Sequence, residues 1–345
     1  MPRSHVHLAE AAPDGETLSA LLRRYERAGE PVSCDPVTEG LLNRGYRLAT
    51  THGRFFLKHH LDGDRTAIAR QHRATQRLGA LGLPVAPPVP DAHGRTVAVI
   101  GGRCYALHPW IDGRHRDGAA LTAPQCWRLG GLLGFAHACL EQVMRAGTSD
   151  REPPEPAADP EDTFTVIDEL LALVRGHRPR DTFDELAEHR LTERRALLER
   201  HAHRRPEADA IPATGWVHGD FHPLNLLYRD TEPAAIVDWD RLGVQPRAEE
   251  AVRAAAIFFV RPGGTLELPK VRSYARAYRR MAGAGADEMA AAVHRVWWER
   301  LNDFWMLRWH YQRGDHRADP QFPAAAALVV WWTREYEAVR DAFCG

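Results

Sequence analysis

The sequence predicts an α+β fold in two lobes, a small N-terminal lobe with an antiparallel sheet and a larger, mainly helical C-terminal lobe. Three observations predict it. Up to Pro109 the chain alternates short strand-like runs with turn dipeptides and contains one helical pattern. After Pro109 the character changes to long apolar-rich helical patterns, and beyond Val260 it is almost entirely helical. At 345 residues the chain is long enough for two domains or one two-lobed unit, and the division is drawn between residues 1–109 and 110–345.

In order, residues 1–30 read as a leader and a short helix, with Leu18, Leu21, Leu22 and Tyr25 at helical spacing. Leu41–Thr50 reads as a strand and Arg54–His60 as a second, with His52-Gly53 turning between them. Asp64–Gly82 carries a helical pattern (Ile68, His72, Thr75, Leu78) that the prolines of LGLPVAPPVP stop. RTVAVIGGRCYALHPW then reads as two strands around Gly101-Gly102, a dipeptide suited to a primed turn. WIDGRHRDG connects to an apolar-rich helix over Pro124–Ala146, and the polar, proline-rich Gly147–Asp162 reads as an exposed loop. Two more helical patterns fill residues 163–204. A continuous helix over His294–Arg313 would place Trp298, Leu301, Trp305 and Trp309 in one stripe, with Glu299 and Asp303 beside it.

Composition narrows the function. Lys and Arg total 45 against 46 Asp and Glu, a net charge of −1, which is not the basic excess of a nucleic-acid binder. The five cysteines are scattered without a metal-binding spacing and read as reduced, buried thiols. The N-terminal stretch has no apolar core of signal-peptide length, and the longest apolar runs fall short of the roughly 20 residues that span a bilayer. A cytoplasmic protein without a membrane partner is expected. The sequence leaves its oligomeric state open.

The chemistry concentrates between Gly215 and Gly243, GWVHGDFHPLNLLYRDTEPAAIVDWDRLG. Phosphoryl transfer from a nucleoside triphosphate needs a carboxylate to orient the acceptor hydroxyl, oxygen ligands for Mg²⁺, and a lysine on the transferring phosphates. Asp220 and Asn225 stand five apart in one loop, and Asp238 follows beyond a stretch long enough for a short hairpin, Leu226–Tyr228 and Ala235–Val237 around RDTEPA. Zinc is the rival reading of HGDFH, but HExxH needs a helix and a glutamate where Gly219 stands, and Pro223 interrupts a helix.

His218-Gly219-Asp220-Phe221-His222-Pro223-Leu224-Asn225-Leu226-Leu227 and Ile236-Val237-Asp238-Trp239-Asp240 resemble the H-G-D-x-H-x-x-N-x-L and I-D-[WF]-[DE] motifs of the aminoglycoside phosphotransferase and choline kinase-like family. The resemblance implies a protein-kinase-like two-lobed fold and an ATP- (or GTP-) and Mg²⁺-dependent phosphotransferase acting on a hydroxyl of a polar small molecule, such as an aminoglycoside or amino sugar. It implies Asp220 as catalytic base, Asn225 and Asp238 as magnesium ligands, and His218 and His222 as loop supports. Asp240 would either assist the metal site or cap a turn, and with Glu299 and Asp303 it is a candidate for substrate contact, since aromatic faces beside carboxylates suit an amino group. Lys58, which alone could be an edge-strand solubiliser, resembles the family's nucleotide lysine. Gly40–Gly45 (GLLNRG), with Asn43, resembles the loop over the phosphates. Backbone groups at Leu107, His108 and Trp110 would meet adenine.

Two departures stand out. Gln71 occupies the place of the glutamate that usually pairs with the lysine, where it could still hydrogen-bond Lys58 without neutralising it. The segment after the metal motif reads PRAEEAVRAA in place of the usual aspartate-leucine wording. Gln71 motivates a second class of reading, a nucleotide-binding pseudokinase acting as sensor or scaffold. A homoserine- or choline-type metabolite kinase is a further alternative, and a protein kinase is disfavoured because HRD, DFG and APE are missing.

Overall fold

The computed structural model describes residues 12–37, 43–61, 63–144, 156–207 and 213–345. Packing divides the chain into two compact units, Met1–His115 with Leu224–Leu242, and Arg116–Pro223 with Gly243–Gly345. The segment Leu224–Leu242 therefore packs with the first unit, whereas a linear division at residue 109 leaves it with the second.

The first unit begins with α1 (Gly15–Leu22), capped by the Asp14 carboxylate on the Thr17 amide at 2.7 Å. Strands β1 (Pro31–Val37), β2 (Arg44–Thr50) and β3 (Gly53–His60) follow, then α2 (Arg65–Ala80), β4 (Ala98–Ile100) and β5 (Arg103–Pro109). They form an antiparallel sheet in the order β1-β2-β3-β5-β4. The sequence reading contains no β1, because Pro31, Asp35 and Pro36 are poor strand residues. They are tolerated because β1 is an edge, pairing on one side only. The two expected turns are present: β2 closes on β3 at Thr50 and Gly53, and Gly101 and Gly102 both take positive φ (54° and 76°), as a primed turn requires. Leu41 and Leu42, at the start of the first expected strand, lie outside the described residues. Leu18, Leu21, Leu22 and Tyr25 pack on Tyr46, Leu48, Leu57, Tyr105 and Leu107, so α1 closes one face of the sheet. Asp64 caps α2 through the amides of Thr66 and Ala67 at 3.0 and 3.1 Å.

The second unit opens with α3 (Ala123–Val143), α4 (Pro160–Gly176) and α5 (Thr182–His201). Helix α4 starts inside the stretch expected to be loop. Asp159 caps it, and Pro160 fits its first turn, where no amide hydrogen is needed; residues 147–155 of that expected loop, and 145–146 at the end of the expected helix before it, lie outside the described residues. The chain then forms β6 (Thr214–Val217), passes into the first unit as the hairpin β7 (Leu226–Arg229) and β8 (Glu232–Ile236), and returns as β9 (Gly243–Pro246), which pairs with β6. Helices α6 (Arg247–Phe258), α7 (Leu268–Ala282), α8 (Ala286–Asn302), α9 (Trp305–Arg308), α10 (Phe322–Arg334) and α11 (Tyr336–Cys344) complete it.

The expected continuous helix over His294–Arg313 is broken. After α8, Asp303 is extended, and its carboxylate accepts the Trp305 amide at 3.0 Å to start a new helical segment, which continues as a π-turn over Trp309–Arg313. Trp298 and Leu301 are buried in the core, while Trp305 and Trp309 belong to the new segment, so the four do not form one stripe. Among the described residues, no helix is long and apolar enough to cross a membrane.

Candidate active site

In the first unit, β3 carries Lys58 into the interior, where the residue is 8% exposed. Its ammonium lies 2.7 Å from an oxygen of Asp238 and 2.7 Å from an oxygen of Asp240. Asp238 follows β8 with φ 58°, a left-handed conformation that aspartate adopts more readily than most side chains. Immediately before it, the Val237 amide donates to the Asn225 carbonyl at 3.0 Å, which ties the two ends of the hairpin together. The hairpin is docked in turn by Ile236, whose amide donates to the Pro84 carbonyl at 2.8 Å.

Two carboxylates thus share one buried ammonium. Burial costs the lysine its charge preference, but the two aspartates outweigh that and raise its pKa. One positive charge cannot compensate both acids. Burial and the Asp238 charge push the Asp240 carboxyl up to about 6, against the pull of Lys58.

Among the described residues, the Asp240 side chain accepts from Lys58 and from the side-chain amide of Asn43. Asn43 in turn accepts the Leu61 amide at 3.0 Å. Gln71 does not hydrogen-bond Lys58: its amide donates to the Asp240 backbone carbonyl at 2.8 Å. The lysine is steadied by Asp240, and Gln71 steadies Asp240. Of the expected phosphate loop, Gly40, Leu41 and Leu42 lie outside the described residues. Leu107 is fully buried beneath α1, and its carbonyl accepts the Val89 amide at 2.7 Å. His108 holds the Ala86 carbonyl at 2.8 Å, and the Trp110 amide reaches the Arg54 carbonyl at 3.3 Å.

In the second unit, the end of β6 leads into His218, Gly219 and Asp220. Gly219 has φ 83°, so the turn needs a glycine. The loop is held through its backbone by Glu250 on α6: the carboxylate accepts the His218 amide at 3.2 Å and also the Gly219 amide. Behind it, His137 of α3 binds the same carboxylate at 2.7 Å and Tyr278 of α7 at 3.1 Å. Burial by itself would raise the Glu250 pKa, but the His137 contact, the nearby His218 and the Gly219 amide overcome it and hold the carboxylate ionised. The Asp220 amide donates to His218 Nδ1 at 3.2 Å, and His222 Nε2 lies 3.5 Å from Asp220 Oδ2. Phe221 anchors the loop against Phe258. The result is a fixed loop presenting a carboxylate that remains about one-third exposed.

The sequence reading gives neither Glu250 nor His137 a place among the candidate site residues. The signal was two adjacent acids, Glu249 and Glu250, in an Ala-rich helix, in the segment whose wording departs from the family's. Glu249 is spent on Arg295 and Arg253, at 2.7 and 3.4 Å. The two acids beside the expected tryptophan stripe are also engaged: Glu299 pairs with Arg253 at 2.7 Å, and Asp303 caps α9.

Comparison with known proteins agrees in kind. Over 109 residues the chain is 31% identical to homoserine kinase from Neisseria meningitidis serogroup B (strain ATCC BAA-335 / MC58), a match covering 32% of this chain. The chain thus spans about a third (35%) of the curated relative it matches. Among solved structures, spectinomycin phosphotransferase APH(9)-Ia in complex with ADP and spectinomycin superposes with TM-score 0.65 at 13% identity, covering 94% of this chain and 99% of that one. Amicoumacin kinase hAmiN, in complex with AMP-PNP, Ca²⁺ and Ami, superposes with TM-score 0.57 at 18% identity, covering 93% and 92%. At these identities the superpositions establish the protein-kinase-like fold. The phosphotransferase enzyme family model matches residues 33–284, most of the chain, and the protein therefore belongs to the APH phosphotransferase family.

Proposed function

We propose that the protein is a small-molecule kinase that transfers the γ-phosphoryl group of ATP to a hydroxyl of a polar acceptor such as an aminoglycoside or amino sugar. The observation that carries the reading is Lys58 at 2.7 Å from Asp238, in a chain whose loop from Asp220 to Asn225 leads directly into the hairpin ending at Asp238. Residues 1–109 supply the nucleotide side in this reading, and residues 110–345 the catalytic and acceptor side.

Asp220 orients the acceptor hydroxyl and takes its proton, a task that suits a carboxylate on an anchored yet accessible loop. Asn225 and Asp238 offer an amide and a carboxylate oxygen, the hard donors that Mg²⁺ prefers, and the acidic excess around Lys58 favours a cation there. Mg²⁺ would neutralise charge developing on the transferred phosphoryl group. Lys58 moves part of its bonding from Asp238 to phosphate oxygens, while Asp240, held by Asn43 and Gln71, keeps the ammonium aimed. His218 and His222 support the loop. On the adenine side the reading keeps the backbone groups at Leu107, His108 and Trp110. We place the reaction in the cytosol, where the five free thiols stay reduced.

Incubation with ATP, Mg²⁺ and a panel of hydroxyl compounds, followed by mass detection of added phosphate, tests the reading. Asp220→Asn should cut turnover by about 10²-fold or more; unchanged turnover would remove Asp220 from its role. The partial identity to homoserine kinase favours a second acceptor class, amino alcohols of primary metabolism, so the panel includes homoserine and choline. The pseudokinase reading loses its motive, since Gln71 acts on Asp240 and the lysine has two carboxylate partners. ATP binding without transfer to any acceptor would restore it.

A further inference from the structure

We propose that His310, His316 and Asp319 form a binding site for a divalent transition-metal ion, using residues that the phosphotransfer reading leaves unassigned. His310 Nδ1 and Asp319 Oδ2 are 2.9 Å apart, His316 Nδ1 and Asp319 Oδ2 3.1 Å, and the two imidazole nitrogens 3.0 Å. Two imidazoles and one carboxylate are the donor set of open-faced transition-metal sites.

Protons satisfy such a triangle poorly. If both nitrogens are protonated and donate to Asp319 Oδ2, their N–H groups crowd one another at 3.0 Å. If one nitrogen is an unprotonated acceptor, its lone pair faces the carboxylate oxygen. A cation satisfies all three atoms together. With ligand distances of about 2.0–2.1 Å, the ion sits roughly 1 Å off the plane of the three donors, so they need not move apart. The remaining coordination positions are left for water or another ligand.

The surroundings hold the donors in place. His310 is buried and lies on the π-turn, and its ring stacks on Phe183 with centroids 4.2 Å apart and planes 13° apart. Gly314, at φ 64°, reverses the chain after that turn and so brings His316 back towards His310. Asp319 begins the short 3₁₀ turn that leads into α10, with its amide on the His316 carbonyl at 3.1 Å. Its second oxygen, Oδ1, is buried without a hydrogen-bond partner among the described residues. A bound ion would therefore clamp the π-turn to the start of α10.

The test uses the tag-free, full-length protein, stripped with chelator and titrated with Zn²⁺ by calorimetry in excess Mg²⁺ to occupy oxygen-rich sites. One Zn²⁺ should bind per chain, and His316→Ala and Asp319→Asn should each weaken it by about tenfold or more. Both residues sit on a surface turn, and circular dichroism of each variant checks that it folds. Co²⁺ should give visible absorption bands in the wild type that disappear in both variants. Absence of a one-to-one site, or equal Zn²⁺ affinity and unchanged Co²⁺ bands in the variants, overturns the proposal. No readout involves phosphate transfer, so its outcome is independent of the kinase reading.

Discussion

At the scale of single residues, charges that look misplaced in the sequence turn out to be compensated one contact further away. Gln71 is the clearest case. Restoring the glutamate usual at this position would aim a carboxylate at the Asp240 carbonyl and add a third acid around Lys58. Gln71→Glu should therefore destabilise the protein by about 1–3 kcal/mol, measured by denaturant unfolding. A gain in stability would mean that the lysine is under-neutralised in the wild type. Glu250→Gln should cost about 2–4 kcal/mol, because the amide cannot accept from both loop amides and His137 together. Turnover should fall with it even where the protein remains folded, since Asp220 is positioned through that carboxylate. A variant equal to wild type in both measurements would show that the loop is held by other contacts.

Among elements, α2, β3 and β5 contribute His72, His60 and His108, whose rings meet edge to face at 5.8 and 5.6 Å. Burial lowers all three pKa values, to about 3 for His60 and about 4 for His108, with the Lys58 charge adding to the effect. Their folded values lie below the unfolded value of about 6.5, so this stability is complete above pH ~6.5 and is lost progressively as the pH falls from there towards the folded values. The melting temperature should accordingly drop from pH 7.5 to pH 5. The drop should shrink in His60→Phe, which loses no hydrogen bond at Nε2 because none is made among the described residues. An unchanged pH slope would rule His60 out.

Contact between α3 and α7 gives a sharper steric test. A Cβ on Gly130 would lie 2.0 Å from the Tyr274 carbonyl oxygen, so Gly130→Ala should force the helices apart and cost about 3 kcal/mol or more. These contacts also show why the sequence was legible in part. Periodicity revealed α1, α2 and α3 and the glycine turns, since those are local signals. The edge strand β1, the break after α8 and the Glu250–His137 pair depend on partners far along the chain. The motif pointed to the chemistry proposed for Asp220, Asn225 and Asp238, but the partners of Asp240 became visible only in three dimensions.

At the scale of the whole molecule, the chain leaves the second unit after Pro223 and rejoins it at Gly243. The first unit is therefore discontinuous, and its last piece is bonded to its earlier ones: Arg114 and Tyr228 exchange backbone hydrogen bonds at 2.9 Å each way, and Val85 pairs with Ile236. A fragment ending at residue 115 should melt without a cooperative transition in calorimetry. Joining His115 to Leu224–Leu242 through a short linker should restore one. Cooperative melting of the bare fragment would show that the hairpin is dispensable. On the ribosome the same discontinuity sets an order of events. The N-terminal sheet is synthesised early but waits for the hairpin while more than a hundred residues are added, roughly 6–25 s at about 5–20 residues per second. For that interval the nascent sheet has no hairpin against Pro84 and Arg114, a window in which a chaperone could bind and in which slower or faster codons between residues 116 and 223 would change the yield of folded protein.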